Sequence, residues 1–168
     1  KGSIAFAEQL HEADPDSVLL GQFDNPANPA IHHSTTGPEI WADTDGAIDI
    51  LVAGIGTGGT LSGAGRYLKE QNPNVRVIGL EPAKSAVLNG RPAGPHGLQG
   101  IGTGFVPNTL DTSVYDEVLD ITDEDSIEQA RRLGTAEGIF TGISSGTALV
   151  GALQVAARPE NKGKLIVA

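Results

Sequence analysis

The run Ile48-Asp49-Ile50-Leu51-Val52-Ala53-Gly54-Ile55-Gly56-Thr57-Gly58-Gly59-Thr60 constrains the fold more than any other part of the chain. Its first half is dominated by branched and small apolar side chains and reads as a buried strand. Its second half is glycine-rich, so the strand must end in a tight turn. From Thr60 to Lys69, Leu61, Ala64 and Leu68 share one helical face, and Gly63 and Gly65 permit close packing. Val75-Arg76-Val77-Ile78-Gly79-Leu80 then reads as a second strand. Strand, helix and strand over so short a span form a βαβ unit, which predicts a parallel pair.

The rest of the chain continues the alternation. Gly2 to Glu12 has helical apolar spacing through Ile4, Ala7 and Leu10, and Asp14-Pro15-Asp16 breaks it. Ser17 to Phe23 is predicted as a strand, and Asn25-Pro26-Ala27-Asn28-Pro29 as turn-rich punctuation between two domains, residues 1–25 and 26–168. Thr35 to Trp41 reads as a capped helix start with Pro38 in its first turn. Ser85 to Gly104 is too rich in Gly and Pro for long regular structure. Val118 to Ile121 is a short strand, after which Thr122 caps a helix with Asp125 in the capping-box position. Acids fill that helix's first turn, Arg131 and Arg132 lie late in it, and Gly138 suits its C-terminal end. A last helix is expected to bury Leu149, Ala152, Leu153 and Ala156. Gly163 to Ala168 reads as a strand that stops while still apolar. With no methionine anywhere, the chain is expected to be truncated at both ends. The pattern implies an α/β domain around a mostly parallel sheet.

Composition narrows the function classes. A formal charge of −10 argues against nucleic acid, which needs clustered Lys and Arg. No apolar stretch approaches the roughly 20 residues that span a bilayer. The absence of cysteine removes disulfides and thiolate metal sites and fits the cytoplasm. His11, His32, His33 and His96 have no metal-ligand spacing, and the adjacent His32-His33 suits surface or capping roles.

A glycine-rich loop between a strand and a helix start is an anion trap: small residues let backbone N–H groups converge, and the helix N-terminus adds partial positive charge. Thr57 and Thr60 can add hydroxyl donors. The loop has no lysine, so it is not a Walker-type phosphate loop. Gly54, Gly56 and Gly59 also satisfy the dinucleotide fingerprint, with Glu81 placed for a ribose, and a ligand-free tight turn is a third reading. Ser144-Ser145-Gly146 could be a simple helix cap. Gln99-Gly100-Ile101-Gly102-Thr103-Gly104 could line a ligand or form a mobile surface loop.

Taken together, these motifs resemble the cysteine synthases (O-acetylserine sulfhydrylases) of the fold-type II pyridoxal-phosphate (PLP) enzymes. The stretches that carry the resemblance are Gln22 to Pro29, Thr35 to Trp41, Gly56 to Thr60, Gln99 to Gly102 and Gly142 to Gly146, in family order. The resemblance implies a three-layer sandwich like that of the tryptophan synthase β subunit, here incomplete. It assigns Gly56, Thr57, Gly58, Gly59 and Thr60 to the PLP phosphate and Ser144 to the pyridine nitrogen. A neutral hydroxyl there makes the ring a weaker electron sink, which favours β-elimination. It assigns Gln22 to the substrate carboxylate, with Phe23 beside it, and places Gly100 in the loop next to substrate. The family's Schiff-base lysine and its carboxylate-binding Asn-Gly loop fall upstream of Lys1, and Lys1, Lys69, Lys84, Lys162 and Lys164 sit in none of the matching motifs. The implied reaction is β-replacement on O-acetylserine by sulfide, with this chain inactive alone. The implied assembly is a homodimer able to take the C-terminal tail of serine acetyltransferase. Cystathionine β-synthase, other fold-type II lyases and a non-catalytic binding domain are the alternatives.

Overall fold

The computed structural model describes residues 2–168. Strand β1 (Ile50–Gly54) is covered on both sides, which explains its unbroken apolar run. Ile50 and Val52 point to one side, where they pack with Ile78, Leu80, Ile121, Val150 and Val155. Leu51 points to the other, joining Ile48, Ile55, Leu61, Ala64, Leu68 and Val77. Strands β2 (Arg76–Pro82), β3 (Glu117–Ile121) and β4 (Ile166–Val167) complete a four-stranded sheet of order β3-β2-β1-β4, parallel throughout. Ile50 pairs with Arg76 on one side and with Ile166 on the other.

Helices α2 (Ala27–Ser34), α3 (Thr36–Asp43) and α4 (Gly59–Gln71) form one outer layer, and α5 (Asp123–Glu137) and α6 (Ile143–Ala156) form the other. The three-layer α/β architecture is the expected one, and the β1-α4-β2 unit stands where it was read. Because every strand runs the same way, α4 and α5 both begin at the C-terminal edge of the sheet. Helix α6, which returns to β4, begins there too. That edge is where open parallel sheets bind ligands.

Several local expectations change. Ser17 to Phe23 is not a strand: residues 17–20 have no regular structure and no sheet partner, and residues 22–24 form a turn in which Asp24 N–H and Asn25 N–H donate to Gly21 O. A ladder needs a neighbour, and no strand lies beside this segment among the described residues. Residues 25–29 do not simply punctuate, since α2 starts at Ala27 with Pro29 in its first turn, where a missing N–H costs nothing. Thr35 holds the cap position of α3 without a side-chain bond to it. Its hydroxyl donates to Ile31 O at 2.7 Å and closes the end of α2 instead. Thr122 does cap α5, accepting from Asp125 N–H at 3.1 Å, and Gly138 ends that helix at φ 71°. The face of α6 is also different. Gly146, Thr147, Val150, Gly151 and Val155 are buried, whereas Leu153 is half exposed. Close approach to α5 and β2 selects the small residues: a side chain on Gly146 would strike Ser126 O, and one on Gly151 would strike Leu80. Helix α1 (Gly2–Ala13) forms as read and buries none of its residues, and Lys1 lies outside the described residues.

Candidate functional site

β1 delivers the chain to its glycine loop at the C-terminal edge of the sheet. Gly58 sits at φ 83°, a left-handed conformation that side chains disfavour, and a Cβ there would lie 2.6 Å from Leu110 Cβ. This turn aims the start of α4 back across the loop. Ser62 is the first residue whose N–H donates along the helix, to Gly58 O at 2.9 Å, so the N–H groups of Gly59, Thr60 and Leu61 precede the ladder. Helices α4 and α6 carry no acid in their first turns, whereas α5 has Asp123, Glu124 and Asp125 in its own. Two of the three positive helix ends at this edge are therefore left uncompensated in a chain of charge −10. The arrangement suits an anion.

Thr57 is held from both ends. Its Oγ1 accepts from Asn28 Nδ2 at 2.9 Å and from Gly59 N–H at 3.3 Å, and its carbonyl accepts from Thr109 Oγ1 at 2.6 Å. With two donors already directed at its oxygen, the Thr57 hydroxyl has its own proton to offer a ligand. Thr60 Oγ1 lies 3.1 Å from His32 Nε2, and His32 Nδ1 lies 2.9 Å from Thr36 Oγ1. In the tautomer that carries the proton on Nε2, Thr60 accepts from His32 and keeps its own proton for the loop.

A cleft of about 270 Å³ opens against this loop, lined by Gln22, Phe23, Gly56, Thr57, Gly100, Ile101 and Thr103. Five residues singled out from the sequence, Gln22, Phe23, Gly56, Thr57 and Gly100, thus share one cavity. Gly100 O lies 2.6 Å from where a Cβ on Gly56 would stand, and Gly102 N–H donates to Ile55 O at 2.9 Å. Residues 99–104 are therefore docked on the strand end rather than free at the surface. His96 pins them further: Nδ1 accepts from Leu98 N–H, so Nε2 carries the proton that it donates to Gly102 O at 2.8 Å. Phe23 and Phe105 meet edge to face at 5.2 Å beside the cavity.

Other readings fall away. Glu81 is 2 % exposed, and its two oxygens accept from Leu88 N–H and Asn89 N–H, each at 2.9 Å. That carboxylate is consumed by the following loop and does not serve a ribose. Ser144 is no cap: Gly142 holds the cap position without a side-chain bond, and Ser144 is the second residue of α6, half buried. It stands at the same sheet edge as the loop without lining the 270 Å³ cleft. Lys69 is tied to Asp116 and Lys84 to Asp123, each at 2.8 Å. Asn28, Thr109 and His32 escaped the sequence reading. Asn28 lay inside a run read as a turn, and His32 looked like a surface histidine. Thr109 carries no local signal at all.

Comparison with known proteins agrees with this geometry. The chain is 52 % identical to cysteine synthase 3 of Caenorhabditis elegans over 166 residues, covering 99 % of this chain and 49 % of that protein. It is 47 % identical to the cysteine synthase of Haemophilus influenzae, covering 55 % of it. The crystal structure of a cysteine synthase from Entamoeba histolytica superposes with a TM-score of 0.95 at 42 % identity, over 99 % of this chain and 49 % of that one. An O-acetylserine-dependent cystathionine β-synthase from Helicobacter pylori superposes with a TM-score of 0.91 at 41 % identity. The chain spans about half the length of the relatives it matches. The sequence model described as "Pyridoxal-phosphate dependent enzyme" matches residues 1–168. The match spans strand, glycine loop and helix alike, and the chain belongs to the pyridoxal-phosphate dependent enzyme family.

Proposed function

We propose that this chain forms the phosphate-binding half of a cysteine synthase, an enzyme that replaces the acetate of O-acetylserine with sulfide. The observation that carries the reading is the single cleft that joins Gln22, Phe23 and Gly100 to the Gly56–Thr57 loop. This adjacency supports reading the loop as an anion cradle and Gln22 and Phe23 as a substrate wall. The name borne by relatives at 52 % and 47 % identity favours cysteine synthase over the cystathionine-forming reaction. In this reading Gly56 to Thr60 hold the cofactor's phosphate through backbone N–H groups and the Thr57 and Thr60 hydroxyls. Gln22 meets the substrate's carboxylate, Phe23 walls the cleft, and Gly100 closes it from the opposite loop. Ser144 offers a neutral hydroxyl to the ring nitrogen. Pyridoxal phosphate, when bound, supplies the electron sink for β-elimination. No lysine that the structure describes is assigned a catalytic role. We assign residues 1–25 to the tail of a small domain and 26–168 to the large one. A homodimer, a cytoplasmic location and recognition of the serine acetyltransferase tail complete the reading. No helix among the described residues is long and apolar enough to cross a membrane.

The cradle is tested by thermal shift. At a hundredfold excess over its dissociation constant a ligand adds about 2.7 kcal/mol, which moves the melting midpoint of a domain this size by roughly 5–10 °C. Pyridoxal phosphate is expected to produce that shift, and pyridoxal without its phosphate is not. Equal protection by NAD would overturn the reading.

A further inference from the structure

We propose that Asn28 and Thr109 are positioning residues that couple the phosphate cradle to the substrate wall, so that an anion seated in the loop orders Gln22 and Phe23. The inference rests on the cradle reading above and goes beyond it, because neither residue touches the cleft. Two separate parts of the chain make the same connection. Asn28, in the first turn of α2, directs the two hydrogens of Nδ2 to Thr57 Oγ1 at 2.9 Å and to Gln22 O at 3.0 Å. The amide orientation is forced, since the Gln22 carbonyl can only accept. Thr109 is 5 % exposed and lies after the irregular segment, 81 residues away from Asn28 in sequence (109 − 28). Its hydroxyl donates to Thr57 O at 2.6 Å and also lies 3.2 Å from Phe23 O, which its N–H reaches at 3.0 Å.

One threonine of the cradle is thus gripped at its side chain and at its carbonyl by two residues. Each of these also holds a carbonyl of the wall, and the two carbonyls are consecutive. The wall has no ladder of its own: residues 17–20 have no strand partner, and 21–25 are held by a turn on Gly21 O. Outside that turn it is also held by Asn25 Nδ2, which donates to Leu20 O at 3.0 Å, by Asn108 Nδ2, which donates to Asp24 Oδ1 at 2.7 Å, and by Phe105 against Phe23, but the hydrogen bonds through Asn28 and Thr109 are the ones that tie it to Thr57. A ligand that draws the Thr57 hydroxyl and backbone into one geometry also narrows the positions open to Asn28 and Thr109, and through them to Gln22 and Phe23. The coupling is reciprocal by thermodynamic necessity, and couplings of this kind span about 5- to 150-fold.

Amide hydrogen exchange on the intact chain, with and without saturating pyridoxal phosphate, reads both ends at once. The wild-type chain is expected to show slower exchange at residues 57–61. The Asp24 and Asn25 amides, which report the wall's own turn, are expected to slow about fivefold or more. In Asn28→Ala and Thr109→Val the ligand still protects 57–61 while the effect at Asp24 and Asn25 shrinks, and in the double variant it vanishes. Thr109→Ser keeps the hydroxyl and the transmission. Thr109→Val and Thr109→Ser are close in size to threonine, so their comparison decides the matter if Asn28→Ala does not fold. Protection at 57–61 without protection at 24–25 in the wild type overturns the coupling and leaves the cradle standing. Full transmission in the double variant, or in Thr109→Val when Asn28→Ala does not fold, does the same. No protection at 57–61 overturns the cradle and the coupling together.

Discussion

At Gly58, a left-handed φ and contact with Leu110 act on the same atom. Gly58→Ala imposes both penalties, and strain of this kind costs on the order of 1–3 kcal/mol. The loop relieves it by turning α4's first N–H groups away from their common focus. The expected result is a lower melting midpoint and a larger loss of affinity for pyridoxal phosphate than for pyridoxal, read by fluorescence titration. Equal losses for the two ligands would mean that the loop does not hold the phosphate. The glycines themselves were legible in the sequence because a glycine-rich stretch after a buried strand has few other uses. Asn28 and Thr109 were not. Their roles depend on three-dimensional neighbours contributed by distant segments, and a side-chain amide near two prolines looks like any turn residue until Thr57 is seen beside it.

At the scale of elements, the helices divide by what holds them. α5 is legible at its ends, from the Thr122 cap and its acidic first turn to Gly138, because capping rules act locally, but the helix runs on to Glu137, so Arg131 and Arg132 stand short of its last turn, which carries no base. α6 was legible in position but not in orientation. A reading by hydrophobicity chooses leucines, whereas the structure chooses glycines, since the distance between α5 and α6 is set by the smallest side chains between them. Gly146→Ala should destabilise the chain by about 1–3 kcal/mol, the usual cost of overpacking. It should also displace the first turn of α6, which carries Ser144. Urea denaturation checks the first expectation, and an unchanged midpoint would contradict the packing described. The segment 17–20 failed as a strand for the complementary reason. Alternation and β-branching describe what a residue suits, and only a neighbouring strand makes a ladder.

For the whole molecule, ion pairs join parts of the chain that no local rule connects. Glu117 on β3 accepts from Arg158 at 2.7 and 2.8 Å and from Arg76 at 3.2 Å, and the Arg158 hydrogen bonds hold its carboxyl below the usual range. Asp123 is lowered chiefly by its bond from Lys84, and Asp111 chiefly by Ser113 with help from Arg66. All three have folded values below their unfolded ones, so their contribution is present above the unfolded value and is lost as pH falls through the folded one. Lys84 and Arg158 are raised, which places their losses far on the alkaline side. Stability should therefore be level between about pH 6 and 8 and decline below about pH 4.5. Glu117→Gln should remove on the order of 1–2 kcal/mol at neutral pH and flatten the acid decline. Melting curves across this range test both effects, and an unchanged acid slope in the variant would show that Glu117 contributes nothing to it.

The carboxamide of Asn28 sits where a side chain on residue 59 would have to go, in contact with the Gly59 Cα region. Positions 28 and 59 therefore share one volume, and only one of them can fill it. The order in which they change is consequently constrained. A larger residue at 59 that arrives first expels Asn28 and breaks its bonds to Thr57 and Gln22 together. A smaller residue at 28 that arrives first opens room at 59 but has already given up the Asn28 bridge. Both routes between an asparagine–glycine pair and its reverse pass through a chain without that bridge.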